Sequence, residues 1–260
     1  AFFENRAYNE RMRFFLSLLT IWCVAVCAAD QPNILWITAE DMSATLGCYG
    51  DKYATTPNID RLAKESVLYT KAFASAPVCS PSRAGLLTGR YPLRAGMPGN
   101  AGSTKGRAGL APSEVTIAEM MKAAGYATAH IGKWHLGLES PNTPTERGFD
   151  FFHGWLGDMM DDYWKKRRHE INYMRRNEEV IDPPGHATDL FTAWSVDYIK
   201  DRAQKDEPFF LYLAYNAPHT PIQPPKEWVE KITKRQPGIS GKRAKLVALI
   251  EHMDHGIGKV

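Results

Sequence analysis

Apolar runs typical of buried strands alternate in this chain with segments whose apolar residues recur at helical spacing. The strand-like runs begin at Asn33, Tyr126 and Phe209. The helical patterns cover residues 59–66, 81–87, 115–124, 188–205 and 245–253. Asn58 stands at the position of an N-cap for the first helix. This alternation predicts an α/β fold in which the strand from Asn33 is the first buried strand of the sheet.

Composition supports a globular domain. The chain has 260 residues, 44% of them hydrophobic and 23% charged, and seven are Trp. This length allows one large domain or one and a half, with a sizeable core. The net charge of +3 is too small to indicate a nucleic-acid partner.

One basic cluster, residues 165–168 with Arg175 and Arg176 nearby, interrupts this balanced composition. It can be a solvated face of a helix or insertion, or a lip that attracts an anionic substrate. We favour the solvated face, because runs of charge are most often exposed to water.

The amino end has the pattern of an export signal. A charged stretch around Met12 precedes the apolar run from Phe14 to Val26, and small residues follow it. We expect residues 1–11 to be a misassigned start, residues 12–29 to be a signal peptide, and the mature protein to be periplasmic or secreted, with no stable membrane span. A lipoprotein anchor at Cys27 is the alternative. The mature chain keeps two cysteines, so no disulfide framework is expected.

The motif C-S-P-S-R at residues 79–83 carries the strongest chemical signal. A lone thiol can be a buried apolar group or a nucleophile. The helix predicted from Pro81 would place residue 79 at a helix amino terminus, where backbone N–H groups favour an anion. The frame C-x-P-x-R resembles the signature of type I sulfatases, in which the cysteine is oxidised to Cα-formylglycine. In that family a hydroxyl of the hydrated aldehyde attacks sulfur, and collapse of the other expels sulfate.

A second motif strengthens this resemblance. Residues 125–135 match the second sulfatase signature, G-Y-x-T-x-x-x-G-K-W-H, at every specified position. The chain is therefore similar to arylsulfatase-type sulfatases of the alkaline-phosphatase-like superfamily from about Pro32 onwards. The resemblance implies a mixed, mostly parallel sheet sandwiched by helices. It also implies a sulfated small molecule or carbohydrate as substrate, and a formylglycine-generating maturation enzyme as partner.

The resemblance assigns roles to further residues. Arg83 would hold the hydrated aldehyde, Lys133 and His219 the sulfate oxygens, and His135 would orient the nucleophile. Lys133 and His135 lie two apart on a segment expected to be extended, so their side chains would point the same way. His219 stands in the N-x-P-H context in which sulfatases carry a site histidine.

The first strand ends in Glu40 and Asp41, where α/β folds place their sites. In sulfatases the corresponding strand ends in two aspartates that bind calcium, so the resemblance makes Glu40, Asp41 and the converted Cys79 calcium ligands. Glu40 is one methylene longer, which flexible calcium coordination tolerates. A turn with solvated acids is the alternative.

Asp254 looks like a further ligand, because the sequence Asp-His-Gly resembles a sulfatase ligand motif. Its context is helical, and we interpret it as a helix residue. The resemblance then implies that the remaining calcium ligands and the carboxyl-terminal subdomain lie beyond residue 260. Two other functions stay open at this point: a phosphonate or phosphate monoester hydrolase of the same superfamily, and a non-catalytic remnant.

Overall fold

The structure is a computed structural model that describes residues 31–101 and 109–260. Residues Ile34–Val260 form one compact unit. The predicted start, signal peptide and lipoprotein position at Cys27 lie outside the described residues. The helices and strands of the described residues belong to the unit from Ile34 to Val260.

This unit is built on a mixed sheet of six strands. The strands are β1 (Ile34–Thr38), β2 (Ala127–Lys133), β3 (Phe151–Trp155), β4 (Met174–Arg176), β5 (Glu179–Val180) and β6 (Phe209–Ala214). Their order across the sheet is β1-β6-β2-β3-β4-β5. The first four in that order run parallel, and β4 and β5 pair antiparallel at the far side. The prediction of a mixed, mostly parallel α/β sheet is confirmed.

Helices cover both faces of the sheet. They are α1 (Pro57–Glu65), α2 (Cys79–Thr88), α3 (Ile117–Ala123), α4 (Ala187–Arg202), α5 (Lys226–Arg235) and α6 (Gly241–Lys259), with 3-10 turns at Gly47–Tyr49 and Pro144–Arg147. Within the described ranges, no helix is both long enough and apolar enough to cross a bilayer.

Strand β6 explains why the sheet has two cores. All six of its residues are buried, and successive side chains of a strand point to opposite faces. Phe210 and Tyr212 pack on the face that α2 and α3 cover. Leu211 and Leu213 pack on the other face, against α4 and α6. A strand buried on both sides has no polar alternation, which is why the run from Phe209 reads as continuously apolar.

The prediction for the first strand was only partly right. β1 forms at the expected place, but it lies at the edge of the sheet formed by the described residues. Leu35 is 38% exposed, and the other four residues are half-buried. Among the described residues β1 pairs only with β6, and its side chains are less buried than those of β6.

The first helix begins earlier than predicted, and its cap is different. α1 starts at Pro57, and Thr56 precedes it. Asn58 is not the cap, because its side-chain amide donates to the Asp254 carboxylate at 2.9 Å. The backbone N–H of Ile59 donates to the same carboxylate at 2.8 Å. A side chain from α6 therefore fills the role that the local sequence assigned to Asn58.

Candidate active site

The parallel strands bring the predicted site residues to one edge of the sheet. β1, β6 and β2 are neighbours and parallel, so their carboxyl ends lie side by side. Glu40 and Asp41 follow β1, Lys133 ends β2, and His219 follows β6. Open α/β sheets place ligand sites at this edge.

Cys79 faces this edge from the first residue of α2. Val78 before it is extended, and the N–H of Ser82 donates back to the Val78 carbonyl at 2.9 Å. The thiol is half-buried. As predicted, residue 79 stands at a helix amino terminus, where the unpaired N–H groups stabilise negative charge.

Glu40 is the electrostatic centre of the cleft. Lys133 Nζ donates to Glu40 Oε1 at 2.5 Å, and Arg83 Nη2 lies 3.5 Å from the same oxygen. Burial disfavours the carboxylate charge, but the two cations outweigh it and lower the pKa of Glu40 to about 2. The second oxygen, Oε2, is buried and accepts no hydrogen bond of normal geometry from the described residues. The group is therefore a fixed anion with one free acceptor.

Arg83 ties the helix to the second strand. Its Nη1 donates to the Lys133 carbonyl at 2.7 Å, and the side chain is almost fully buried. Burial alone would lower the pKa of Arg83, but the Glu40 carboxylate reverses this and raises it. The guanidinium thus holds the end of β2 at a fixed distance from Cys79.

The thiol of Cys79 is not activated in this environment. Burial and the nearby Glu40 carboxylate raise its pKa to about 11, although the Lys133 ammonium acts in the opposite direction. Cysteine nucleophiles ordinarily have a lowered pKa, because the thiolate is the reactive form. The unmodified side chain is therefore a protonated thiol at neutral pH.

His135 departs from the extended conformation that the sequence predicts. β2 ends at Lys133, and His135 has a φ of 56°, in the left-handed region. Such a conformation costs energy in a non-glycine residue and is frequent at functional sites. Both ring nitrogens are buried, and the backbone of Ala101 lies beside the ring, where it favours the protonated form. Burial, and then the cations Lys133 and Arg83, hold the pKa of His135 well below its usual value. The imidazole is therefore neutral, with one N–H donor and one acceptor nitrogen.

His219 and Asp41 complete the cleft. His219 Nε2 lies 3.5 Å from Asp41 Oδ2, and one ligand atom each from Glu40, Cys79 and His219 lies within 4.8 Å of the others. Asp41 has a φ of 54°, and its side chain is 61% exposed. The adjoining cavity measures about 420 Å³ and includes Cys79, Arg83 and both acids in its wall. Glu40, Asp41, Cys79 and Arg83 thus line one cavity, and Lys133 and His219 contact its acids.

Sequence reasoning missed two side chains that position this cleft. The Ser80 hydroxyl donates to the His135 carbonyl at 2.7 Å and accepts from the Ala101 N–H at 3.0 Å. The buried Tyr163 hydroxyl lies 2.9 Å from the carbonyls of both Asn216 and His219. Ser80 lies inside the C-S-P-S-R motif, which is a signal that could have indicated it. Tyr163 has no local signal, because its partners lie more than 50 residues away.

The basic cluster at residues 165–168 lies in an insertion between β3 and β4 and not on a helix. Residues 165–168 lie in turns and short bridges, and no helix forms there. Lys166 is buried, and its Nζ donates to the Gly185 carbonyl at 2.8 Å. Arg167 pairs with Asp182 at 2.5 Å, and Arg168 pairs with Asp161 at 2.7 Å. Acids thus pair with Arg167 and Arg168, while Lys165 stays exposed. The segment is a partly exposed loop, and its paired arginines do not form a free cationic lip for an anionic substrate.

A second group of potential ligands is occupied by structural bonds. His186, Asp189 and His252 bring one ligand atom each within 4.8 Å. His186 caps α4 by accepting from the Thr188 N–H at Nδ1, and its Nε2 lies 3.0 Å from the Gln223 carbonyl. This tautomer leaves His186 no free lone pair for a metal. Among the described residues, the cleft at Cys79 is therefore the better candidate for a bound ion.

Comparison with known proteins agrees with the geometry. The family model for sulfatases matches residues 32–260. N-acetylgalactosamine-6-sulfatase of Homo sapiens is 32% identical over 252 residues, which is 90% of this chain and 46% of that protein. Steryl-sulfatase of Mus musculus is 51% identical over 139 residues, or 49% of this chain and 22% of that protein. The chain spans less than half the length of these two relatives.

Solved structures show the same fold. The crystal structure of Ps i-CgsB has a TM-score of 0.81 and 31% identity, covering 88% of this chain and 54% of that one. Another protein, solved in complex with its substrate D-glucosamine-2-N,6-O-disulfate, has a TM-score of 0.65 and 27% identity, covering 80% and 38%. The chain therefore belongs to the sulfatase family, among the type I sulfatases of the alkaline-phosphatase-like superfamily.

Proposed function

We propose that this protein hydrolyses sulfate esters and that residue 79 carries the reaction after oxidation of Cys79 to formylglycine. One observation carries the proposal. Cys79 stands at a helix amino terminus inside a cleft where Lys133 and Arg83 flank Glu40, and where His135 and His219 supply imidazoles. Fixed cations and donors around a small cavity suit a sulfate group, whose negative charge is spread over its oxygens.

The protonated state of Cys79 supports conversion. With its pKa raised to about 11, the thiol is a poor nucleophile at neutral pH. A hydrated aldehyde at this position would supply an attacking hydroxyl and, through the second hydroxyl, a way to release sulfate. A formylglycine-generating enzyme is the partner that this proposal requires.

The surrounding side chains have distinct roles in the proposal. Lys133 has three N–H donors, and the described residues use one of them, on Glu40. The others can bind sulfate oxygens together with His219. The neutral ring of His135 can accept from or donate to the hydroxyl on residue 79 and so orient it. Arg83 keeps the nucleophile helix against the end of β2.

The acids at the end of β1 fit part of a calcium site. Glu40 Oε2 is a buried acceptor without a partner, and the Asp41 carboxylate is open to the cleft. Both are hard oxygen ligands, which calcium prefers. Calcium ordinarily takes six to eight oxygens, so the described residues supply only part of its shell. A bound cation would neutralise sulfate charge, and the remaining ligands would come from outside the described residues.

A sulfated carbohydrate is the substrate class that the relatives favour, with a sulfated small molecule as the alternative. One similar structure was solved with D-glucosamine-2-N,6-O-disulfate. N-acetylgalactosamine-6-sulfatase of Homo sapiens is similar over 90% of this chain. The proposal includes export to the periplasm or beyond, because the amino end has a signal-like pattern.

The test is co-expression with a formylglycine-generating enzyme, followed by mass spectrometry of the peptide that contains residue 79. We expect the thiol to be replaced by an aldehyde. Cys79→Ala should abolish turnover of sulfate esters, and Cys79→Ser should do nearly the same or trap a sulfated enzyme. Parallel assays on phosphonate esters distinguish a sulfatase from a phosphonate monoester hydrolase of the same superfamily. Full sulfatase activity with an unmodified thiol would contradict the mechanism.

A further inference from the structure

A second cavity, of about 580 Å³, lies between the last turns of α4 and the strands β3 and β4. Phe151, at its wall, is the first residue of β3, and Tyr198 contacts Phe209, the first residue of β6, at a ring distance of 6.0 Å. These are the amino ends of parallel strands, whereas the cleft at Cys79 lies at their carboxyl ends. The two cavities share no residue.

Aromatic rings make up much of this wall. The His153 and Trp194 rings stack with centroids 3.4 Å apart and an angle of 10° between their planes. The Phe151 and Tyr198 rings are also nearly parallel, with centroids 5.8 Å apart and an angle of 13°. All four side chains are only half-buried. Burial lowers the pKa of His153 to about 4, so its ring is neutral at physiological pH.

Polar groups that make no ion pair or hydrogen bond among the described residues stand beside these rings. The Arg176 guanidinium lies 6.0 Å from the Phe151 ring centroid and forms no ion pair with any described residue. The Asp197 carboxylate and the indole N–H of Trp194 also lack hydrogen bonds within the part of the chain that the structure describes. The neighbouring charges, Asp201 and Arg202, are already paired with Lys205 and Glu207.

The chemistry of this wall defines its ligand. One free cation and one free anion among the described residues balance each other, so a ligand with net charge is not favoured. Hydroxyl groups can donate to Asp197 and accept from Arg176. The negative faces of aromatic rings attract the weakly positive C–H bonds on the flat side of a sugar ring. The volume falls within the range of about 300–1,000 Å³ that is usual for ligand sites.

We propose that this cavity binds a neutral pyranose unit of an oligosaccharide, with a face of the sugar against the aromatic rings and its hydroxyls on Asp197 and Arg176. Binding here holds a polysaccharide on the protein at a distance from the cleft at Cys79. The inference does not depend on the hydrolysis of sulfate esters, because no residue of that cleft lines the cavity.

Isothermal titration calorimetry of the 260-residue chain with cellohexaose, mannohexaose, agarohexaose and a chondroitin-6-sulfate hexasaccharide tests the proposal. At least one neutral hexasaccharide should bind. Asp197→Asn and Arg176→Gln should each weaken this binding about tenfold. Both residues are exposed, and circular dichroism should show that both variants remain folded. Tyr91→Ala, which removes an exposed aromatic ring elsewhere, and Cys79→Ala should leave the affinity unchanged.

Several results would overturn the proposal. They are no binding of any neutral hexasaccharide, binding that survives both Asp197→Asn and Arg176→Gln, and binding that is lost in Cys79→Ala. Binding of the sulfated hexasaccharide alone would also overturn it, because the charge balance of the wall would then have been misjudged.

Discussion

Glu40 and Asp254 are both buried carboxylates, with 6% and 1% of their surface exposed, yet they are compensated in different ways. Glu40 faces the cations Lys133 and Arg83 and keeps one oxygen without a partner. Both oxygens of Asp254 accept hydrogen bonds, from the backbone and side chain of Asn58 and from the N–H of Ile59. Side-chain cations compensate the first acid, and the amino terminus of α1 compensates the second.

The difference separates an acid that can still accept a bond from one that is already satisfied. A carboxylate that backbone N–H groups fully satisfy has no acceptor left to offer an ion. A carboxylate with a buried, unpaired oxygen at a strand end is incomplete without a further partner. The sequence Asp-His-Gly at residues 254–256 carries a ligand-like pattern, but its packing gives Asp254 a capping role.

The largest expected effects concern turnover. In the mature enzyme, alanine at Lys133, Arg83, His135 or His219 should each lower kcat by about 10²-fold or more, because each removes a fixed donor from the cleft. Asp254→Ala should leave kcat of the folded protein unchanged. Steady-state kinetics on an aryl sulfate measures kcat for all of these variants. Lys165→Ala is the control for loss of an exposed lysine. An undiminished kcat in Lys133→Ala would remove that residue from the site.

The dependence of stability on acidic pH should reveal the contribution of the Glu40 carboxylate. Its pKa in the folded protein is about 2, against an ordinary 4.5, so its contribution to stability is fully present above pH 4.5 and is lost as the pH falls towards 2. The difference in unfolding free energy between the wild type and Glu40→Gln should therefore shrink by about 3 kcal/mol over that range. Urea unfolding at several pH values measures it. A difference that stays constant with pH would contradict the ion-pair assignment.

Asp254→Ala should destabilise the protein by about 2 kcal/mol, because it leaves N–H groups of Asn58 and Ile59 without their acceptor. Glu65→Ala, an exposed acid at the other end of α1, serves as the matched control and should change stability by less than about 0.5 kcal/mol. Thermal or urea unfolding of the two variants and the wild type measures these differences in stability. Equal stabilities would show that the cap at α1 contributes nothing.

Calcium affinity should show the smallest effect, and it compares Glu40 with Asp254 directly. We expect the 260-residue chain to bind calcium weakly, with a Kd of about 1 mM or higher, because Glu40 and Asp41 fill only part of a calcium shell. Glu40→Gln should weaken this binding further, whereas Asp254→Asn should not affect it. Calorimetric titration is the measurement. Micromolar binding that Asp254→Ala abolishes would reverse the roles assigned to the two acids.

Much of the site could be predicted because it rests on local patterns. The motif around Cys79 and Arg83, and the runs that end at Lys133 and before Glu40, are contiguous in the sequence. Parallel strands then bring their carboxyl ends together without further information. The left-handed turn at His135 was not predictable in this way, because the Ser80 hydroxyl that contacts it belongs to another element.

The sequence by itself determined the α/β class, most of the strand and helix positions, and the chemical groups of the cleft, since periodicity and motifs act over a few residues. The tertiary structure decided which charges meet. Asp254 and Ile59 are 195 residues apart, and Tyr163 and His219 are 56 apart. Such contacts depend on how helices and loops pack on the sheet. They therefore decided that Asp254 is a cap, that two arginines of the basic cluster pair with acids, and that one oxygen of Glu40 is left to accept a further bond.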